Sequence, residues 1–248
     1  MVLIDRVALS QSRAEEYDRG QWPLSVPAVT RLLEADLPLD ASVTFLVGEN
    51  GSGKSTLIEA IAEGAGLDAQ GGRSGRKYGN NRTQTPLGEL LDLKWSMAGY
   101  RWMRQTRLKR KGFFLRAETA FGLMHTVEGV PGYWDAQTSQ MSHGEGFLTV
   151  FETMFQEAGL YLLDEPEAAL SFQSCLSLVE LFHRLGKTGA QIICSTHSPL
   201  LAATPGAVIV ELDEAGFHRT TWNELAVVDH WRRYLESPQH YLQHLIED

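Results

Sequence analysis

The segment GENGSGKST, Gly48 to Thr56, limits the fold more than any other stretch of the chain. A short apolar, β-rich run, SVTFLVG from Ser42 to Gly48, leads straight into it, and STLIEAIAEGAG follows with helical spacing. Leu57, Ile58, Ile61 and Ala62 fall on one face of that helix, and the glycines at 64 and 66 are placed to stop it. The pattern is G-x-x-x-x-G-K-[ST] between a strand and a helix. Glycine is needed because the backbone must wrap an anion closely with its N–H groups pointing inward, and Gly48, Gly51 and Gly53 supply that freedom. Glu49, Asn50 and Ser52 complete the loop, Lys54 is the cation for β- and γ-phosphates, and Ser55, followed by Thr56, is placed to ligate Mg²⁺. The helix begins at the anion, where its dipole favours negative charge. A glycine-rich turn with an incidental lysine would not explain both flanking elements.

A second stretch poses the complementary problem. GLYLLDEPEAALS, Gly159 to Ser171, runs a buried-looking strand into the adjacent acids Asp164 and Glu165, with Glu167 following the proline. Neighbouring carboxylates repel and lose hydration unless a cation lies beside them. A helix N-cap region, where acids and proline are common, is the plain alternative. Beside a phosphate loop, a metal–nucleotide site offers the missing charge: Asp164 holds Mg²⁺ and Glu165 polarises the attacking water. Both acids fall at the carboxyl end of a strand, where open α/β sheets bind ligands.

Strand and helix alternate along the rest of the chain, which points to an α/β fold with a mostly parallel central sheet. IDRVALS reads as a first strand, LYLL, AQIICS and AVIVEL as later ones, and GFFLRAE as another in the middle region. DEAG is a hairpin turn into FHRTTW, Ala168 to Leu185 reads as a helix, and the segment from Asn223 is helical with a break at Pro238. Residues 71 to 86 read as loop. The 248 residues are 43% hydrophobic, enough for one large domain with a core. A net charge of −9 argues against a surface built wholly for nucleic acid, leaving room for a local basic patch. Cys175 and Cys194 fit no metal or disulfide spacing, and neither a signal peptide nor an apolar run near the ~18 residues of a membrane span is visible. A reducing, cytoplasmic protein without membrane insertion is expected.

Two more motifs complete a series. QMSHGEG, Gln140 to Gly146, stands at an apparent helix start near Ser142, and IICSTHSP ends a strand with His197. In the order phosphate loop, SHGEG, LDEPEAALS, THSP, the chain resembles an ATP-binding-cassette (ABC) ATPase, and among these it is closest to small soluble ATPases related to the RecF and SMC group. The resemblance spans essentially the whole chain. SHGEG departs from the usual LSGGQ signature at His143 and Glu145, and EAALS resembles the D-loop. The resemblance implies a P-loop NTPase of ABC type: one domain, residues 1–248, with an antiparallel N-terminal β portion and a helical lobe at about 87–150 carrying the signature. It implies that the His197 strand lies between the phosphate-loop strand and the Asp164 strand. It implies ATP and Mg²⁺ as cofactors, Glu165, His197 and Lys54 as catalytic residues, and an ATP-dependent head-to-tail homodimer. In that dimer Ser142 and the amide of Gly144 reach the γ-phosphate of the opposite copy. Ser142 also reads as a plain N-cap, and His197 as a turn residue.

Where such cassettes carry a glutamine after a middle strand, this chain has Arg116, Ala117 and Glu118. Glu118 is a candidate for the metal shell and equally for a surface ion pair, and Gln84 is a weaker substitute. Tyr17 and Trp22 are candidates for stacking adenine, although a core role suits either. YRWMRQTRLKRKG, Tyr100 to Gly112, holds six Lys or Arg among aromatics, which suits a DNA backbone or an ordinary solvated face. The interval between Lys54 and Ser142 is too short for long coiled-coil arms. A transporter's membrane subunit or a regulated protein partner is also compatible with the sequence.

Overall fold

The computed structural model describes residues 1–68, 71–73, 85–106, 110–128, 130, 141 and 143–243, with 73, 121, 124–127, 143 and 144 described by their backbone alone. Ten strands are present among them: β1 (Ile4–Leu9), β2 (Leu37–Pro38), β3 (Val43–Gly48), β4 (Gly72–Arg73), β5 (Leu91–Trp95), β6 (Gly112–Arg116), β7 (Leu160–Asp164), β8 (Gln191–Thr196), β9 (Val208–Asp213) and β10 (Gly216–Thr220). β2-β1-β5 form an antiparallel sheet, the expected N-terminal β portion. The larger sheet runs β10-β9-β3-β8-β7-β6-β4, and its five central strands, β9 to β6, are parallel. The order β3-β8-β7 puts the His197 strand between the phosphate-loop strand and the Asp164 strand, as the resemblance implied. The short β4 falls inside the stretch read as loop.

The central strands are buried along nearly their whole length because both faces of the sheet are covered. Alternate residues serve two cores. Leu46, Leu162 and Ile193 join the phosphate-loop helix and the antiparallel sheet on one face, while Phe45, Leu163 and Cys194 meet the helices His143–Met154 and Phe172–Lys187 on the other. A single buried side chain ties the two sheets. Gln191 Oε1 accepts from the amides of Leu3 and Ile4 at 2.9 and 2.8 Å, and its Nε2 donates to the carbonyls of Ile4 and Leu39 at 2.8 Å each. All four hydrogen-bonding positions of the amide are thus used in a dry interior, where leaving any open would be costly.

The helix expected over Ala168–Leu185 starts later. Pro166–Ala169 is a single 3-10 turn, Leu170 is extended, and Ser171 caps a helix over Phe172–Lys187 by accepting from the amide of Ser174 at 3.2 Å. The serine cap outweighs the helix propensity of the two alanines before it. The C-terminal helices Ala226–Glu236 and Pro238–Leu242 are divided at Pro238, as expected. Among the described residues no helix is long and apolar enough to cross a membrane.

Candidate active site

The sheet register assembles the site. Gly48 pairs with Leu212, Asp164 with Ser195 and with Arg116, and Val47 with Thr196, so the motif-bearing strand ends meet at one carboxyl edge. The loop after β3 needs its glycines for two different reasons. Gly53 has φ +98°, and a Cβ there would lie 2.5 Å from Val26; Gly48 leaves β3 so close to β9 that a Cβ would lie 2.3 Å from the Leu212 carbonyl. Helix Lys54–Gly64 then starts at once, with Lys54 in its first turn.

Lys54 is 3% exposed. Its ammonium donates to the Glu49 carbonyl at 2.9 Å and lies 3.8 Å from Glu165 Oε1. Burial pulls the lysine below its ordinary value, and the carboxylates of Glu165, Asp164 and Glu167 push it back up. Ser55 donates its hydroxyl to Asp164 Oδ1 at 3.0 Å, and Ser195 donates to the same oxygen. The acid and the hydroxyl that the sequence singled out as metal ligands, 109 positions apart, therefore meet directly. Among the described residues no group of three or more His, Cys, Asp or Glu is placed to hold a metal ion. The pair fits Mg²⁺ in the way nucleotide sites use it, with one carboxylate and one hydroxyl complemented by phosphate oxygens and water. The hydroxyl of Ser52, buried in the loop without a hydrogen-bond partner, adds an unused donor to the cradle.

Glu165 has φ +48° and ψ +51°, the one non-glycine residue with positive φ among the described residues. The left-handed turn right after β7 is held by its amide, which donates to the Ser195 carbonyl at 3.1 Å. Backbone held in a sparsely populated region costs about 1–3 kcal/mol and collects at functional sites. The turn brings Glu165 Oε1 to 2.8 Å from His197 Nε2, which can donate to the carboxylate. Glu165, His197 and Lys54 thus form one contact group.

Glu167 is a residue whose part the sequence did not disclose. Its Oε1 accepts from the Thr196 hydroxyl and the His197 amide, each at 2.6 Å, and from the Ser198 amide at 3.1 Å, while its buried Oε2 has no partner. It clamps the loop bearing His197 to the turn bearing Glu165. The only signal in the sequence is a third acid just past Pro166. Replacing Glu167 with alanine strands three donors and is expected to destabilise the protein by about 2–4 kcal/mol. Urea unfolding measures that loss, and hydrogen exchange should localise it to 196–198.

Asp164 contributes to the pH dependence, and burial shifts Glu59 and Glu167 in the same direction. Burial pushes the Asp164 carboxyl above the ordinary value, against the hydroxyls of Ser195 and Ser55 and the charge of Arg116. A group whose folded value is raised contributes stability below its unfolded value and loses that contribution as pH rises through the raised one. At neutral pH the ionised acid therefore weighs on the nucleotide-free fold. Asp164→Asn is expected to raise its melting temperature by about 2–4 °C, the effect of about 1 kcal/mol in a chain of this size, with the gain vanishing in acid. Thermal melts from pH 3 to 8 check this.

The remaining candidates are placed as follows. The amide of Gly144 lies in the first turn of helix His143–Met154, while Ser142 and Gln84 lie outside the described residues. Glu118 is in the first turn of helix Ala117–Val127, largely exposed, and its Oε2 is 2.9 Å from Arg116. Tyr17 packs against the core, and Trp22 is half exposed. In the basic stretch Trp102 is buried, donates to the Lys111 carbonyl at 2.8 Å and stacks on Trp95, so neither ring is free to receive a base. Tyr100, Arg101 and Arg104 are exposed, and 107–109 lie outside the described residues. A cavity of about 600 Å³ borders the phosphate loop, with Glu49, Asn50 and His197 on one wall and His230, Trp231 and Tyr234 of the C-terminal helix on another.

The family model described as ABC transporter matches residues 39–168, more than half of the chain, from just before the phosphate loop to just past the paired acids. The chain belongs to the ABC ATPase family. A second model, described as an AAA domain with the AbiEii toxin of a type IV TA system as its namesake, matches residues 139–203. Among curated relatives, this cassette is 34% identical over 109 residues to an uncharacterized ABC transporter ATP-binding protein of Haemophilus influenzae, covering 43% of the cassette and 41% of the relative. It is 27% identical over 175 residues to the manganese transport system ATP-binding protein MntA of Synechocystis sp., covering 63% and 64%. The cassette thus spans less than two thirds of either relative's length. Among solved structures, cbiO1 from Clostridium perfringens, part of the ABC transporter complex cbiONQ, gives a TM-score of 0.45 at 15% identity, covering 86% of this chain and 91% of that one. The SMC head domain from Thermotoga maritima gives 0.44 at 16%, covering 75% and 92%. At those scores the fold assignment rests on strand order and motif placement.

Proposed function

We propose that this cassette is an ATP-gated switch that closes as a head-to-tail homodimer on Mg-ATP and reopens on hydrolysis. The observation that carries the reading is the Ser55–Asp164 contact at 3.0 Å with Glu165, the next residue, already held against His197 and near Lys54. Lys54 and the amides of Gly48–Thr56 grip the phosphates, and Ser55 and Asp164 hold the metal, while Glu118, largely exposed, pairs with Arg116. The bound Mg²⁺ supplies positive charge to the phosphate oxygens that gain negative charge in the transition state. Glu165 accepts the proton of the attacking water while the water oxygen bonds to the γ-phosphorus and the bridging oxygen leaves with ADP. His197 fixes the Glu165 carboxylate and senses the same phosphate. The N-terminus of helix His143–Met154 of the opposite copy, with the Gly144 amide in its first turn, completes the anion site, because N–H groups at a helix start favour the γ-phosphate.

The switch is proposed to act in DNA maintenance or defence. Exposed Arg101 and Arg104 beside Tyr100 give a net-acidic chain a local basic face suited to phosphate backbones. A second reading, the motor subunit of a transporter, is favoured by the similarity to ATP-binding proteins of transport systems. Duplex DNA titrated into the protein with Mg-ATP at rising salt separates the two. The first reading expects ATP-dependent, salt-sensitive binding that Arg101→Ala with Arg104→Ala weakens about tenfold or more. No ATP-dependent binding at any salt, together with co-purification of a membrane subunit, would transfer the assignment to the second.

A further inference from the structure

Arg116 stands where the sequence of such a cassette would lead one to expect a glutamine, and its surroundings give it a task of its own. It is the last residue of β6, in register with Asp164 on β7, so the two side chains leave adjacent parallel strands on the same face. Its Nη2 reaches Glu59 Oε1 on the phosphate-loop helix and Glu118 Oε2 on the following helix, each at 2.9 Å. Its Nε lies 3.7 Å from Asp164 Oδ2 and, although buried, has no hydrogen-bond partner. The two contacts at 2.9 Å tether the guanidinium, while the third is electrostatic only and easily given up.

Asp164 is served unevenly. Both hydroxyl donors, Ser55 and Ser195, use Oδ1, and Oδ2 faces Arg116. A fixed, always-ionised cation therefore supports the buried acid at the oxygen left open for a further ligand. We propose that Arg116 is a positioning residue that acts as a tethered counter-ion, supporting Asp164 in the nucleotide-free cassette and competing with the incoming divalent cation for it. The proposal rests on the reading of Asp164 as the residue that holds the metal. A divalent cation held by Asp164 would repel the guanidinium beside Oδ2, so metal binding would weaken that contact and leave Arg116 to Glu59 and Glu118. Helix Ala117–Val127 begins at the very next residue, and its first turn holds Glu118, so the change is delivered to the start of that helix.

The test uses the full chain as wild type, Arg116→Gln and Arg116→Lys. A fluorescent ATP analogue is titrated with free Mg²⁺ from an EDTA baseline, and melting is followed in EDTA without nucleotide. Removing the competing charge is expected to lower the Mg²⁺ concentration for half-maximal binding by about fivefold or more, with lysine restoring most of the wild-type requirement. Arg116→Gln should also melt earlier in EDTA, because Asp164 loses its support. A requirement unchanged within about twofold, or moved to higher Mg²⁺, overturns the proposal. The second outcome would make Arg116 a direct support of the metal–phosphate group. If Arg116→Gln does not fold, Glu59→Gln provides the opposite arm. It frees the guanidinium for Asp164 and should raise the requirement about threefold, and no change there overturns the proposal as well. A wild type that binds the analogue equally well in EDTA removes the metal reading and this proposal together. A magnesium-dependent wild type with an unaltered Arg116→Gln removes the proposal alone.

Discussion

Glu165→Gln is expected to lower ATP turnover by about 10²–10⁴-fold, the usual contribution of a positioned general base, while Mg-ATP binding persists. Glutamine keeps the size of the side chain and an oxygen for His197 Nε2, now at 2.8 Å from Glu165 Oε1, but cannot take a proton from water. The substitution also removes the carboxylate 3.8 Å from Lys54, leaving the ammonium freer for phosphate. Affinity for ATP should therefore hold or rise as turnover collapses. If hydrolysis is what reopens the dimer, the variant accumulates as a dimer in saturating Mg-ATP. Steady-state turnover, nucleotide titration and size-exclusion chromatography read the three effects separately. A variant that turns over ATP like the wild type would take Glu165 out of the reaction, and one that remains monomeric would break the link between ATP and pairing.

Lys54→Ala is expected to act earlier, weakening ATP binding by about 10–150-fold, which corresponds to the ~1.5–3 kcal/mol of a hydrogen bond to a charged group. In the nucleotide-free protein the ammonium rests on the Glu49 carbonyl, an interaction that a phosphate oxygen would replace with a stronger one. Burial disfavours its charge, and the carboxylates of Glu165, Asp164 and Glu167 offset this only in part. The variant loses the packing of the buried stem and the hydrogen bond to the Glu49 carbonyl, so the nucleotide-free protein should also melt earlier. An equilibrium titration with a fluorescent ATP analogue and a thermal melt measure the pair. Unchanged affinity would move the phosphates away from this loop.

The sequence disclosed most where one short segment carries both an element and its chemistry. β3, β7 and β8 are apolar runs that end in GENGSGKST, in Asp164–Glu165 and in His197, so strand type and site position could be read together. Their spatial order was available only through family resemblance, because nothing in three parallel strands states which lies in the middle. The edge strand β5 passed unnoticed: LDLKW is short, and its partner β1 lies more than eighty residues earlier. Ser171 carried a cap signal, but Ala168 to Leu170 reads as helix when taken alone. Gln191, Glu167 and Arg116 were opaque for a common reason. Each works through partners far away in sequence that the sheet brings together, and neither a polar residue at a strand terminus, as Gln191 and Arg116 are, nor an acid in the turn beyond one, as Glu167 is, carries any mark of them. The aromatics of the basic stretch misled in the other direction, because Trp102 is a core residue whose indole N–H is used internally.

The central claim is that Asp164 and Glu165, attended by Arg116 and Lys54 in the nucleotide-free protein, lie side by side to receive a triphosphate and a divalent ion at the Lys54 loop. Isothermal titration calorimetry of ATP into the wild type, with Mg²⁺ and then with EDTA, tests it most directly, with Asp164→Asn as the third titration. The expected result is saturable heat with Mg²⁺ and a large loss of affinity in the other two. Equal binding in all three titrations, or no binding in any, would contradict it.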